Sequence, residues 1–201
     1  MRRSISTLVA TGALVLTLAA CGSGTAEVTP PADAAGTEQA EPAVAEAPAE
    51  EAPAETGTRE NPAVAGSTVT LTDWTVSLGA TNRDASAEIA AENTFNSPPI
   101  EGRSFVMVPV TATYTGADSG TAWLSIGVNF VGSAGNTYGS GTDDYCGVIP
   151  GNLSDSGELY AGATATGNVC VQVPTAEVEG GTWVVENRLA FDDVKAFVAL
   201  Q

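Results

Sequence analysis

The chain has 201 residues, no histidine, and 24 acidic against 7 basic side chains, for a formal charge of −17. This balance argues against a nucleic-acid binder, which needs basic groups to neutralise phosphate, and against electrostatic attraction to anionic lipid. Without an imidazole, Ser-His-Asp triads, histidine metal clusters and the commonest proton shuttle are excluded.

The first residues read MRRSISTLVATGALVLTLAA, in which Arg2 and Arg3 precede an apolar run over residues 8–20. That is the layout of a secretory leader. The run falls short of the roughly 20 residues a membrane-spanning helix needs, and it ends in Leu18-Ala19-Ala20-Cys21 rather than in a charged flank. Leu-Ala-Ala-Cys resembles the bacterial lipobox, in which the first mature residue must be a thiol to carry a diacylglycerol thioether. Residues 1–20 are therefore expected to be a lipoprotein signal peptide and Cys21 the lipidated residue. The chain would then be anchored in the cell membrane, facing the extracellular side or the cell wall. Acyl chains at about 0.8 kcal/mol per buried CH₂ make a durable anchor once two or more are present. The alternative is an ordinary leader whose cysteine is incidental.

From Gly22 to Glu60 the sequence is built of Ala, Pro, Glu, Thr and Gly, without an aromatic residue. Such a stretch cannot bury enough apolar surface to offset its ordering entropy. Residues 21–60 are expected to be the lipidated cysteine and a disordered acidic tether. Pro30, Pro31, Pro42, Pro48 and Pro53 count against the competing Ala/Glu helix.

Residues 61–201 have the length of one domain with its own core. TVTLTDWTVSLGA, at residues 68–80, opens the strand pattern. Residues 83–102, RDASAEIAAENTFNSPPIEG, depart from it: Asp84 is placed to cap a short helix over residues 85–92, and the segment is expected to cover the sandwich through Ile89 and Phe95. A role for this long insertion as a functional loop is the alternative. SFVMVPVTATYTG follows, with Val106, Val108, Val110, Ala112 and Tyr114 on one face. Pro109 has no N–H for a ladder, which points to an edge or a bulge there. WLSIGVNFVG alternates from Leu124 to Phe130 and runs into SAGNTY, where Gly135-Asn136 suits a hairpin turn. TATGNVCVQVP, TWVVENRL and VKAFVAL complete seven or eight strands. With no long helical period, the expected fold is all-β, an immunoglobulin-like β-sandwich with one short helical insertion.

Assigning Cys21 to the anchor leaves Cys146 and Cys170 as a pair in an exported chain, where a disulfide is the default. A zinc site wants about four ligands and a catalytic thiol wants a base, and neither is supplied here.

DWTVSL, the ENTFNSPPIEG loop running into SFVMVPVTATYTG, and the later CGVIP, GELYAG and GNVCVQVP blocks together resemble the immunoglobulin-like domain of unknown function of actinobacterial and other Gram-positive lipoproteins. That family is similar in fold to the small secreted immunoprotective antigen of mycobacteria. The resemblance spans residues 60–201 and implies a cell-envelope sandwich in which Gly162 and Gly167 bracket a strand entry. It also implies that Cys146 and Cys170 occupy the positions of the family's cysteine pair. It carries over no catalytic residue.

Enzymatic chemistry has few candidates. Lys195 could activate a serine but falls in a terminal strand, where an outward solvated charge is its expected role. The doublets Asp143-Asp144 and Asp192-Asp193 point to opposite faces if they lie in strands, poor geometry for a two-carboxylate hydrolase. In a loop either doublet could join a calcium site, although neither has the spaced acidic pattern of a calcium loop. No metal, cofactor or catalytic residue is expected.

Trp74, Trp123 and Trp183 each begin a strand-like run and are expected to fill the core, with tyrosines lining its rim. The sharper possibility is a recognition rim of Tyr138, Asp143, Asp144, Tyr145 and Tyr160 at one end of the sandwich. The expected role is a non-catalytic binding or accessory module for an unknown protein or glycan partner, held at the membrane through Cys21. A carboxylate enzyme and a purely structural surface protein are the alternatives.

Overall fold

The strand pattern organises the molecule in two layers, seen in a computed structural model that describes residues 26–29, 56–139, 144–190 and 193–201. The strands are β1 (Glu27–Thr29), β2 (Thr68–Leu71), β3 (Trp74–Leu78), β4 (Arg103–Tyr114), β5 (Ser119–Gly120), β6 (Ile126–Val131), β7 (Thr137–Tyr138), β8 (Leu159–Tyr160), β9 (Thr164–Pro174), β10 (Thr182–Asn187) and β11 (Lys195–Ala199). Short helices α1 (Ser86–Glu92), α2 (Ala122–Ser125) and α3 (Thr175–Val178) lie between them. One sheet has the order β1-β2-β3-β4-β9 and the other β11-β10-β6-β7, while β5 and β8 form a separate pair. The strand pairs are antiparallel. The fold is a β-sandwich.

The inner face of β4 is buried from Val106 to Tyr114 and the outer face only around Phe105 and Met107, for different reasons. Val106, Val108, Val110 and Ala112 enter the core between the sheets with Trp74, Phe130 and Trp183. Trp74 meets Tyr114 edge-on at 5.0 Å and Phe130 meets Trp183 at 5.2 Å, the geometry aromatic quadrupoles favour. Phe105 and Met107, on the opposite face, pack with Ala85, Ile89, Cys146 and Ile149 in a second cluster. The outer face of this sheet is thus covered around Phe105 and Met107 by α1 and by the segment around Cys146, while Pro109 and Thr111 further along β4 stay exposed.

Four expectations are corrected. Pro109 lies on an interior strand, not at an edge, since β4 pairs with both β3 and β9. Its missing donor is tolerated because β3 ends at Leu78: Gly79 N–H still reaches the Pro109 carbonyl, and the chain then swings out before rejoining β4 through Asn82 and Met107. Trp123 sits in α2 and is 41 % exposed, so the strand begins only at Ile126. Of the two residues expected to close the sandwich, Ile89 is buried, but Phe95 is 94 % exposed. Helix α1 starts at Ser86, one residue later than predicted. Asp84 still organises the entry, its Oδ1 accepting from Ser86 Oγ at 2.6 Å and Ser86 N at 3.2 Å. These two bonds hold its carboxyl below the ordinary range.

The stretch read as a tether also contains structure. Glu27–Thr29 pairs with β2, Ala26 is buried, and Ala26 N–H donates to the Lys195 carbonyl at 3.1 Å. At the other end of that stretch, Gly57 exchanges backbone hydrogen bonds with Asn61 and Phe197. A Cβ on Gly57 would stand 2.8 Å from Val28 Cγ2. Cys21 and most of the acidic segment lie outside the described residues.

Candidate functional site

Strand β9 is the last strand of its sheet, and a free edge would expose unpaired backbone groups. The chain from Asp144 to Asn152 lies along that edge instead. Gln172 N–H donates to the Asp144 carbonyl at 3.0 Å and Asn168 N–H to the Gly151 carbonyl at 2.7 Å. Side chains complete the seam, with Gln172 Nε2 donating to the Tyr145 carbonyl and Asn168 Nδ2 to the Pro150 carbonyl. The Cys146–Cys170 disulfide, with Cα atoms 6.0 Å apart, fixes the segment covalently to β9.

Between this seam and β6 the sandwich is open. A cleft of about 210 Å³ lies there, walled by Ile126, Val128, Ile149, Leu153, Val169 and Val171, with Trp123 and Arg188 on one flank and Tyr145 on the other. Its walls are predominantly aliphatic. Asp144, Asn152, Ser154 and Arg188 are the polar residues of its lining, and among the described residues no buried side-chain nitrogen or oxygen lacks a partner. Apolar contact area is what it offers. A second, shallower depression of about 410 Å³ adjoins it across Tyr145, Cys146 and Gly147, bounded by Phe95, Pro98 and Ile100.

The residues expected to make a recognition rim separate into three positions. Tyr138 is buried, and the Arg103 guanidinium lies over its ring at 5.7 Å. Burial, reinforced by neighbouring Glu177, raises its phenol above the ordinary tyrosine value. Asp144 pairs with Arg103 at 2.8 Å and accepts from Gly139 N at 3.2 Å, which commits its carboxylate to structure. Tyr145 is exposed at the cleft mouth. Tyr160, also exposed, pairs with Ser119 beyond the opposite end of β9 and donates to Glu158. Eight residues of β9, roughly 26 Å of strand at about 3.3 Å each, separate the level of Thr164 from that of Gln172. A single rim containing Tyr145 and Tyr160 is therefore corrected. Asp143 lies outside the described residues, as does Asp192 of the other doublet.

The contributions of Trp123, Arg103 and Asn96 were not apparent from sequence. Asn96 clamps two loops together, donating to the Ile89 and Val148 carbonyls and accepting from Val148 N. An Asn before a Ser-Pro-Pro run was the available signal, but it does not name a partner 52 residues away. Among the described residues no three carboxylate, thiol or imidazole groups converge as a metal site would require.

No known family model matches the chain, and no curated protein is significantly similar to it. Two solved structures are similar in fold. One is a conserved hypothetical protein from Bacillus anthracis, with 13 % identity, a TM-score of 0.43, and coverage of 66 % of this chain and 92 % of that one. The other is an uncharacterized β-sandwich protein from Clostridium difficile, with 9 % identity, a TM-score of 0.45, and coverage of 78 % and 100 %.

Proposed function

We propose that this chain is a lipid-anchored lipoprotein of the cell envelope, belonging with the immunoglobulin-like lipoproteins it resembles, and that its sandwich is a non-catalytic binding module for a protein partner. The supporting observation is the aliphatic cleft beside β9, with the exposed ring of Tyr145 at its edge. Its volume of about 210 Å³ is below the roughly 300 Å³ at which pockets begin to enclose a drug-sized ligand. It therefore suits one or two apolar side chains of a docking segment rather than a whole cofactor. Predominantly aliphatic walls favour a protein partner over a glycan, most of whose hydroxyls would lose water there with few groups to replace it.

The test is site-specific photo-crosslinking in intact cells. A photoreactive residue at Tyr145 should yield a discrete adduct, and filling the cleft with Val169→Phe should abolish it. The same probe at Tyr160, in the β5–β8 pair beyond the opposite end of β9, should not give that adduct. Identical adducts from both positions, or an adduct indifferent to V169F in a folded variant, would show that the cleft does not dock the partner.

A further inference from the structure

Resting on the lipoprotein reading, we infer that the domain does not stand off on a tether but sits directly on the bilayer, through the end of the sandwich that carries Trp123, Leu124, Tyr160 and Leu189. The argument begins with β1. Only residues 22–25 separate Cys21 from Ala26, which is already buried and bonded to Lys195. Five residue steps reach at most about 18 Å when fully extended. Strand β4 alone has 12 residues and runs about 40 Å. The far end of the sandwich is therefore out of reach of the membrane unless β1 unzips.

The end at which the chain enters is set by register. Ala26 lies beside Lys195, Lys195 pairs with Glu186, and the adjoining Asn187 pairs with Ile126 and donates to the Thr72 carbonyl at the β2–β3 turn. Trp123 and Leu124 immediately precede Ile126, and Leu189 N–H is held by Asn187 Oδ1. Tyr160 pairs with Ser119, which shares one surface depression with Asp73, Asn187 and Leu189. Trp123 and Leu124 are 41 % and 47 % exposed, and Tyr160 and Leu189 are 64 % exposed. Tryptophan and tyrosine are the side chains enriched where lipid meets water, because each has an apolar body and a polar tip.

Charge does not draw this end to the membrane. Arg188 and Lys195 are there, but so are Asp73, Asp118 and Glu158. Seating therefore depends on the acyl anchor and the apolar side chains, and salt should not reverse it. Residues 30–55 then connect two points fixed on one domain, Thr29 in β1 and Gly57, whose carbonyl accepts from Phe197 N–H of β11, and do not space it from the lipid.

The test couples the mature chain through the Cys21 thiol to a lipid in phosphatidylcholine vesicles that carry a nitroxide-labelled lipid. Trp74 and Trp183 are sealed in the core, so accessible quenching reports Trp123. The expected result is loss of the Trp123 emission, absent in Trp123→Phe, unchanged by added salt, and relieved by a flexible insert of about twenty residues after Thr25, which spans roughly 25 Å. Absence of quenching in the coupled chain, quenching that survives the insert undiminished, or quenching abolished by salt would overturn the inference. Chemical coupling supplies the anchor, so these failures are distinct from that of the lipoprotein reading, which would show as an unacylated Cys21 in the mass spectrum of the natural chain.

Discussion

The guanidinium of Arg103 donates to Asp144 across 2.8 Å, joining the first residue of β4 to the start of the segment that seals β9. Their side chains are 23 % and 16 % exposed, so the pair is only partly screened. Arg103 also reaches the Gln172 carbonyl and covers the Tyr138 ring. This one cation gathers three elements at the end of the sandwich opposite the entry of β1.

Replacing Asp144 by Ala removes the carboxylate from a partly buried cation and from Gly139 N–H. The expected loss is about 1–3 kcal/mol. In a denaturant double-mutant cycle with Arg103→Met, the coupling should exceed about 0.5 kcal/mol. A coupling near zero would mean the pair is a solvated contact.

The disulfide closes a loop with a sequence separation of 24, for which loop-closure entropy gives about 3.5 kcal/mol. A Cys146→Ser, Cys170→Ser variant should lose stability of that order. Hydrogen exchange should show where the loss begins. The amides of Asn168 and Gln172, whose acceptors belong to the sealing segment, should open before those facing the Trp74 core. Uniform loss of protection would instead place the disulfide in the global folding unit.

Two glycines separate steric from conformational demands. A Cβ at Gly167 would stand 2.5 Å from Leu153 Cα and 2.7 Å from Leu153 N, a collision with backbone. Gly167→Ala should destabilise by about 1–3 kcal/mol and shift Leu153, a wall of the cleft. At Gly162 nothing lies within 4 Å, but φ is +81°. Gly162→Ala should lose about 1–2 kcal/mol from the left-handed backbone alone, with the cleft unchanged. Chemical denaturation measures both effects, and the fluorescence of an apolar dye held in the cleft distinguishes them.

Tyr138 provides a pH test. Burial, then Glu177, raises its phenol in the folded state above the unfolded value of 10.0. The protonated form is therefore favoured by folding. Its contribution is complete below the unfolded value and is lost as pH climbs through the raised folded value. Ultraviolet titration should find one tyrosine ionising late, and Tyr138→Phe should remove that step. A late step that persists in the variant would assign it elsewhere.

The sandwich was legible because side-chain alternation is a local property: Val106, Val108, Val110 and Ala112 must share a face whatever lies opposite. The cysteine pair could be read for a similar reason, since residue counting and the expectation of export left few alternatives. Alternation does not say which residues meet across sheets or along an edge. Tyr138, Tyr145 and Tyr160 look equivalent in a chain of loop tyrosines, yet pairing buries the first, exposes the second at the cleft and carries the third to the other end. Ile89 and Phe95 are both apolar and six positions apart, but only Ile89 lies on the helix face turned to Phe105 and Met107.

By itself the sequence determined an acidic, histidine-free chain and alternating strands, properties set by composition and local stereochemistry. Only the tertiary structure decided that three residues of an apparent tether form β1, that Trp123 stays outside the core, and that a disulfide-pinned segment walls an apolar cleft. Those outcomes depend on hydrogen bonds and packing between residues distant in the chain. A three-residue strand has too little pattern to announce itself, and it forms because β2 presents an edge for it to pair with.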